Sequence, residues 1–274
     1  MTWLLLDVGN TALKWALAQA DDPRVLARGI LGLAPGFADA LASSLAGCAR
    51  RTGEALAAIG SSVASDAITR LVAAAVAPVT SAGVRWVGAQ PRFEHRGVVL
   101  VNGYRNPAQL GADRWHAMIA ARQSFPGQAL VVVCAGTATT VDSIGATGRF
   151  LGGAIAPGTS LMADSLARGT AGLPRSAGQA VAMPDNTDDA IATGVAEALA
   201  GLVERRVRAL ARLDRPPQLV LAGGRVRELA SRLSLGGDEI AGITIEEQLV
   251  LRGLWFRASA IAEGPDGIDL RDAA

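Results

Sequence analysis

Two stretches of this chain repeat one local design. Leu4-Leu5-Leu6-Asp7-Val8-Gly9-Asn10 and Val131-Val132-Val133-Cys134-Ala135-Gly136-Thr137 each run three apolar residues, a short side chain, a small residue, a glycine and a polar residue. Three consecutive apolar residues read as a strand buried on both faces, and the glycine marks a tight turn. After each turn the chain runs back as a strand, Thr11 to Ala18 in the first case and Thr139 to Ile144 in the second. A third strand follows in each, Val25 to Ile30 and Phe150 to Ala156. A strand–turn–strand–strand–helix order that occurs twice predicts an α/β chain of two lobes, each with a glycine hairpin. Apolar strands that end in glycine turns are common in α/β proteins at large, so the repeat speaks to architecture before chemistry.

The length of 274 residues suits two domains. The boundary falls near Gln123 to Gln128, giving an N-terminal lobe over 1–125 and a C-terminal lobe over 126–262. The remainder, 263–274, is polar, rich in Asp and Gly, and reads as a frayed tail. Between the repeats, helices are expected from Gly36 to Arg50 and Asp66 to Val76, and strands over Leu56 to Ser61, Val84 to Val87 and Val98 to Val101. Asn106-Pro107 has the chemistry of a helix start, with Asn as cap and Pro in the first turn, and that helix should reach Arg122. In the second half, Thr187 to Leu213 reads as a long helix, Gln218 to Leu221 as a strand, the segment from about Arg225 as a helix, and Gln248 to Ala262 as a closing helix.

Composition narrows the function classes. Net charge is +1, so there is no electrostatic footprint for nucleic acid. The densest arginine groups, Arg50-Arg51 and Arg205-Arg206-Arg208, read as solvated helix faces. No apolar run has transmembrane length, and Asp7 and Lys14 interrupt any signal-peptide core. Two cysteines, Cys48 and Cys134, without metal spacing to histidine, fit a reducing cytoplasm.

Lys14 is the sole lysine among 26 Lys and Arg, and it closes the first hairpin. A compact ammonium on a flexible stem suits a phosphate held by a turn of backbone N–H groups, whereas arginine is a planar fork. Asp7, at the end of the buried strand, can hold Mg²⁺ beside such a phosphate; it can equally begin an Asx-turn. The loop is not a Walker A sequence and carries no Gly-x-Gly-x-x-Gly turn. A second constellation is Tyr104 with Gly111-Ala112-Asp113-Arg114. The small residues leave room for a ligand at the backbone, Asp113 can accept a proton from a hydroxyl nucleophile, and Arg114 can hold an anionic oxygen. An ordinary Asp–Arg pair at a helix start has the same appearance. His116 lies on the face of Asp113, and no catalytic role is assigned to it. The third is Gly136-Thr137-Ala138-Thr139-Thr140 with Asp142, either a second phosphate cradle or a threonine-rich hairpin. Gly152-Gly153 and Ala156-Pro157-Gly158-Thr159 read as a glycine-rich turn before a helix, and Gly223-Gly224 as backbone open to an adenosine ring.

Taken in order, these motifs resemble type III pantothenate kinase: Asp7–Lys14, Gly111–Arg114, Gly136–Asp142 and Gly152–Gly158, joined by Thr170–Pro174 and Asn186–Ile191, over roughly residues 2–255. The resemblance implies two ribonuclease-H-like lobes, a duplicated actin-like ATPase fold with a cleft between them. It implies transfer of the ATP γ-phosphoryl group to the primary hydroxyl of pantothenate, the first step of coenzyme A synthesis, in a cytoplasmic homodimer. Carried onto this chain, Asp7, Val8, Gly9, Asn10, Thr11, Ala12, Leu13 and Lys14 form the ATP phosphate loop and Thr137 contacts ATP. Asp113 is the proton acceptor. Tyr104, Gly111, Ala112, Asp113 and Arg114 line the pantothenate site, and Thr187 touches pantothenate from the partner subunit. Mg²⁺ accompanies ATP, near Asp7. The family typically uses K⁺ or ammonium as well, held in part by an Asp where this chain has Cys134, and a neutral thiol is a poor ligand for a hard cation. The rival readings are a kinase of the same fold with another acceptor and a regulatory accessory factor. A chaperone-type ATPase is disfavoured, because no room is left for a substrate-binding domain after the second lobe.

Overall fold

The computed structural model describes residues 1–52, 54–174 and 178–264. They form two compact units, Met1–Ser124 together with the chain from Leu249, and Phe125–Gln248. The first contains β1 (Thr2–Val8), β2 (Ala12–Gln19), β3 (Val25–Gly32), α1 (Phe37–Thr52), β4 (Leu56–Ser62), α2 (Asp66–Val76), β5 (Thr80–Trp86), the β6 (Arg92–His95) and β7 (Val98–Val101) hairpin, and α3 (Ala112–Ser124). The second contains β8 (Leu130–Ala135), β9 (Ala138–Ile144), β10 (Phe150–Pro157), α4 (Thr159–Gly169), α5 (Thr187–Leu213), β11 (Gln218–Ala222), α6 (Val226–Ala230) and β12 (Gly242–Ile245). The last helix, α7 (Leu249–Glu263), belongs to the first unit.

The two main sheets have the same order, β3-β2-β1-β4-β5 and β10-β9-β8-β11-β12. In each, the first three strands are antiparallel and the last two run parallel to the central one. Period-2 alternation explains how β1 is buried on both sides. Leu4, Leu6 and Val8 join Leu13, Trp15 and Leu17 in a core with Phe37, Leu41 and Leu45 of α1 and Val72 and Val76 of α2. Trp3 and Leu5 face the other way, with Ala16, Ala18 and Ile59, onto Leu251, Leu254, Trp255 and Ala258 of α7. In the second unit Val131, Val133, Ala135 and Val141 pack on Leu199, Val203, Val207 and Leu210 of α5.

Several expectations are corrected. The closing helix, expected in the second lobe, fills the β1 face that α1 and α2 leave bare, a burial no local pattern encodes. There it meets α3 backbone to backbone: a Cβ on Gly253 would stand 1.8 Å from the His116 carbonyl oxygen. The helix expected from Asn106 is instead a 3₁₀ turn, Pro107–Gln109, capped by the Asn106 side chain; Leu110 is extended and α3 starts at Ala112. Gly152-Gly153 lies inside β10, at a register shift, and forms no turn. Arg206 is not a solvated residue, since its guanidinium bonds Ser143 Oγ at 3.2 Å and the Gly152 carbonyl at 3.1 Å. Strands β6 and β12, four residues each, have no counterpart in the sequence reading. The side chains of Arg50 and Arg51, and the tail from residue 265, lie outside the described residues. Among the described residues no helix is long and apolar enough to cross a membrane.

Candidate active site

The first hairpin places Asp7 and Lys14 directly opposite each other in the β1–β2 register, on the sheet face that looks toward α7. Asp7 is the last residue but one of a strand that is buried along its whole length, while Asn10 and Thr11 turn out to solvent. The turn is closed by the Gly9 N–H donating to the Ala12 carbonyl at 3.0 Å. Lys14 Nζ stands 4.0 Å from Asp7 Oδ2, an ion pair beyond hydrogen-bond reach. Burial raises the Asp7 carboxyl to about 6; Lys14 opposes that shift and the negative charge of Asp113 adds to it. The chain thus gathers three charged side chains, from β1, β2 and the first turn of α3, at one end of the sheet.

Asp113 is half-buried, and the Arg114 N–H donates to its Oδ1 at 2.8 Å. A Cβ on Gly111 would sit 2.7 Å from that oxygen. The room read as ligand space is therefore partly the room Asp113 itself occupies. Arg114 is buried, donates to Tyr104 Oη at 3.1 Å, and lies with Cζ 5.7 Å from the centre of the Tyr104 ring. The loop that carries Tyr104 is held by Asn102, which accepts from the Tyr104 N–H at 3.1 Å and donates to the Pro107 carbonyl at 3.2 Å. Asn102 was missed in the sequence because a single Asn before a glycine reads as turn chemistry. His116 is fully buried, and burial, with the Arg257 charge acting the same way, lowers it to about 3. Its Nδ1 is 2.7 Å from the Ala112 carbonyl, which can only accept, so the neutral ring carries its proton there.

In the second unit Gly136 and Thr137 form an exposed two-residue tip. The Gly158 N–H donates to the Thr137 carbonyl at 2.8 Å, and a Cβ on Gly158 would reach 2.2 Å from the Gly136 oxygen, so the turn before α4 clamps the tip. Gly223 is likewise spent on packing, against the Ala135 backbone, while Gly224 faces open space. The tip borders a pocket lined by Ala135, Gly136, Thr139, Thr159, Arg225 and Arg232. Thr140 and Asp142 are buried within β9 and do not belong to the exposed tip. Cys134 is half-buried, in no disulfide, and stands opposite Thr140. Thr187 begins α5, capped by Asn186, and lines a separate open groove of about 550 Å³ with Met162, Leu166, Leu173 and Ile191.

The donor set fits a divalent cation that arrives with phosphates. Among the described residues no three or more His, Cys, Asp or Glu side chains form a metal cage. Mg²⁺ needs no such cage, taking one or two carboxylates plus substrate oxygens. Asp7 carries a charge that burial and the nearby Asp113 make costly, and a cation beside it would offset that cost.

A Campylobacter jejuni structure described as a Baf family transcriptional activator superposes with a TM-score of 0.54 at 18% identity, covering 95% of this chain and 98% of that one. A Sinorhizobium meliloti structure described as a 2-dehydro-3-deoxygalactonokinase superposes with a TM-score of 0.51 at 16% identity, covering 96% and 99%. At such identities the likeness carries the fold alone, that of the actin-like ATPases and sugar kinases. The type III pantothenate kinase of Paracidovorax citrulli is 39% identical over 268 residues, spanning 94% of this chain and all of that protein. The family model described as type III pantothenate kinase matches residues 3–209, a stretch that holds both glycine hairpins, Asp113 and Thr187, and the chain belongs to that family.

Proposed function

We propose that this protein transfers the γ-phosphoryl group of ATP to the primary hydroxyl of pantothenate, giving 4'-phosphopantothenate, the first step of coenzyme A synthesis. The observation that carries the reading is the grouping of Asp7, Lys14 and Asp113 at one end of one sheet, in a chain of this family. Residues Asp7 to Lys14 hold the ATP phosphates, with turn N–H groups and the Lys14 ammonium facing the charge. Thr137 contacts ATP from the second hairpin. Asp113 accepts the proton of the pantothenate hydroxyl as its oxygen attacks the γ-phosphorus in line and ADP departs. Tyr104, Gly111, Ala112 and Arg114 hold pantothenate beside it, and the Tyr104–Arg114 contact gives that wall a fixed shape. The kinase family implies a divalent metal with ATP; Mg²⁺ held at Asp7 would neutralise phosphate charge. Most of the catalysis is positioning and charge stabilisation.

The working form is a cytoplasmic homodimer in which Thr187 of one subunit reaches the pantothenate of the other; its exposed place at the start of α5 supports this. Cys134 offers a hard monovalent cation little, so activation by K⁺ is weak or absent, or the cation rests on other oxygens. The test is ATP-dependent phosphorylation of pantothenate by the purified protein, with and without K⁺, in a panel that includes sugars and small hydroxy acids. Turnover of pantothenate alone supports the assignment. Turnover of another acceptor, or of none, overturns it, and strong saturable K⁺ activation overturns the reading of Cys134.

A further inference from the structure

Asp7 has a neighbour that neither the motifs nor the family match assigns. In the parallel pairing of β1 with β4, Asp7 stands opposite Ser61. Register partners on parallel strands project to the same face, and here that face is marked by Trp3, Leu5 and Ile59. Ser61 is 1% exposed, and its hydroxyl has no hydrogen-bond partner among the described residues. The contrast is with Ser62, which points to the opposite face and is satisfied by Thr69 Oγ1 at 2.7 Å and the Ala64 N–H at 3.3 Å. Native proteins seldom leave a buried hydroxyl unbonded, because doing so costs about 1–3 kcal/mol, and those that remain repay explanation. The nearest charged acceptor in register is the Asp7 carboxylate. Neighbouring strands lie about 4.8 Å apart, within reach of a hydroxyl and a carboxylate that turn toward each other.

We propose that Ser61 is a positioning residue for Asp7, its Oγ–H donating to the Asp7 carboxylate when the nucleotide and its divalent cation are bound. The hydroxyl fixes one carboxylate oxygen so that the other faces the cation. The inference deepens the reading above and rests on its nucleotide-binding half alone.

The experiment is calorimetric binding of a non-hydrolysable ATP analogue at increasing Mg²⁺, with thermal unfolding in parallel. In Ser61→Ala the Mg²⁺ concentration that gives half-maximal binding should rise about 10- to 100-fold, the effect of losing one hydrogen bond to a charged group. The unfolding midpoint should not fall, since the hydroxyl has no hydrogen-bond partner among the described residues. Ser61→Cys, similar in shape but a weak donor, should shift the Mg²⁺ dependence in the same direction, which covers the case of an alanine variant that misfolds. An unchanged Mg²⁺ dependence in either folded variant overturns the proposal, as does a lowered unfolding midpoint with normal binding. Wild-type protein that binds the analogue but leaves pantothenate unphosphorylated would sink the assignment of substrate and leave Ser61 standing.

Discussion

Replacing Asp7 by Asn should stabilise the metal-free protein while removing nucleotide binding. In the folded chain the Asp7 carboxyl is raised to about 6 against an ordinary value of 3.8, with burial the largest cause. Between those values the native state holds a proton that the unfolded chain has released. Stability conferred by the protonated form is therefore full below about pH 4 and is lost as pH rises through about 6. At about 1.36 kcal/mol per unit, the full difference is ~3 kcal/mol, an upper figure. Asparagine keeps the shape and cannot ionise. Asp7→Asn should accordingly gain about 1–3 kcal/mol over the parent at about pH 7.5 and nothing near pH 4. For a chain of this size that is a rise on the order of 5 °C in unfolding midpoint. The assay is urea or thermal unfolding in EDTA across that pH range, with both proteins side by side. A variant no more stable than the parent at neutral pH, or a gain that is the same at both pH values, would refute the claim that a buried carboxylate is being held in its charged form at a cost to the fold.

Three further outcomes are expected. Asp113→Asn should lower kcat by ~10²–10⁴ with nucleotide affinity nearly intact, read by steady-state kinetics beside calorimetry; near-normal turnover would remove Asp113 as the base. Lys14→Arg should fold normally yet turn over far more slowly, because a planar fork replaces a point charge opposite Asp7, and full activity in that variant would mean any cation suffices. Gly253→Ala should cost at least ~2 kcal/mol in denaturant unfolding, since its Cβ would fall 1.8 Å from the His116 carbonyl; unaltered stability would mean that α3 and α7 can part without penalty.

Much of the site was legible because its signals are local. The Asp7–Lys14 hairpin follows from a buried strand, a glycine and a return strand, and antiparallel pairing then sets the two side chains face to face. The helices Asp66–Val76 and Thr187–Leu213 have the bounds read from the sequence, and the structure adds their caps, Ser65 and Asn186 accepting from the backbone of the first turn. Other features were hidden for physical reasons. The start of α3 was misplaced because Asn106-Pro107 has genuine helix-start chemistry and spends it on a 3₁₀ turn. Ser61 carries no motif, and only the register of β4 against β1 puts it beside Asp7. His116, to which the sequence assigned no catalytic role, is fully buried and held neutral, a depth its spacing from Asp113 does not reveal.

What the amino-acid sequence determined by itself was the doubling of the chain, the two glycine hairpins and the place of Asp7 and the lone lysine on the first of them, because strand burial, turn chemistry and charge type are properties of a few adjacent residues. The tertiary structure alone decided that α7 leaves its neighbours in sequence to cover Trp3 and Leu5, that Asp7 is deep enough for its charge to be costly, and that Asp113 lies near enough to add to that cost. Burial and electrostatic coupling depend on which distant surfaces meet, and no window of sequence contains both partners.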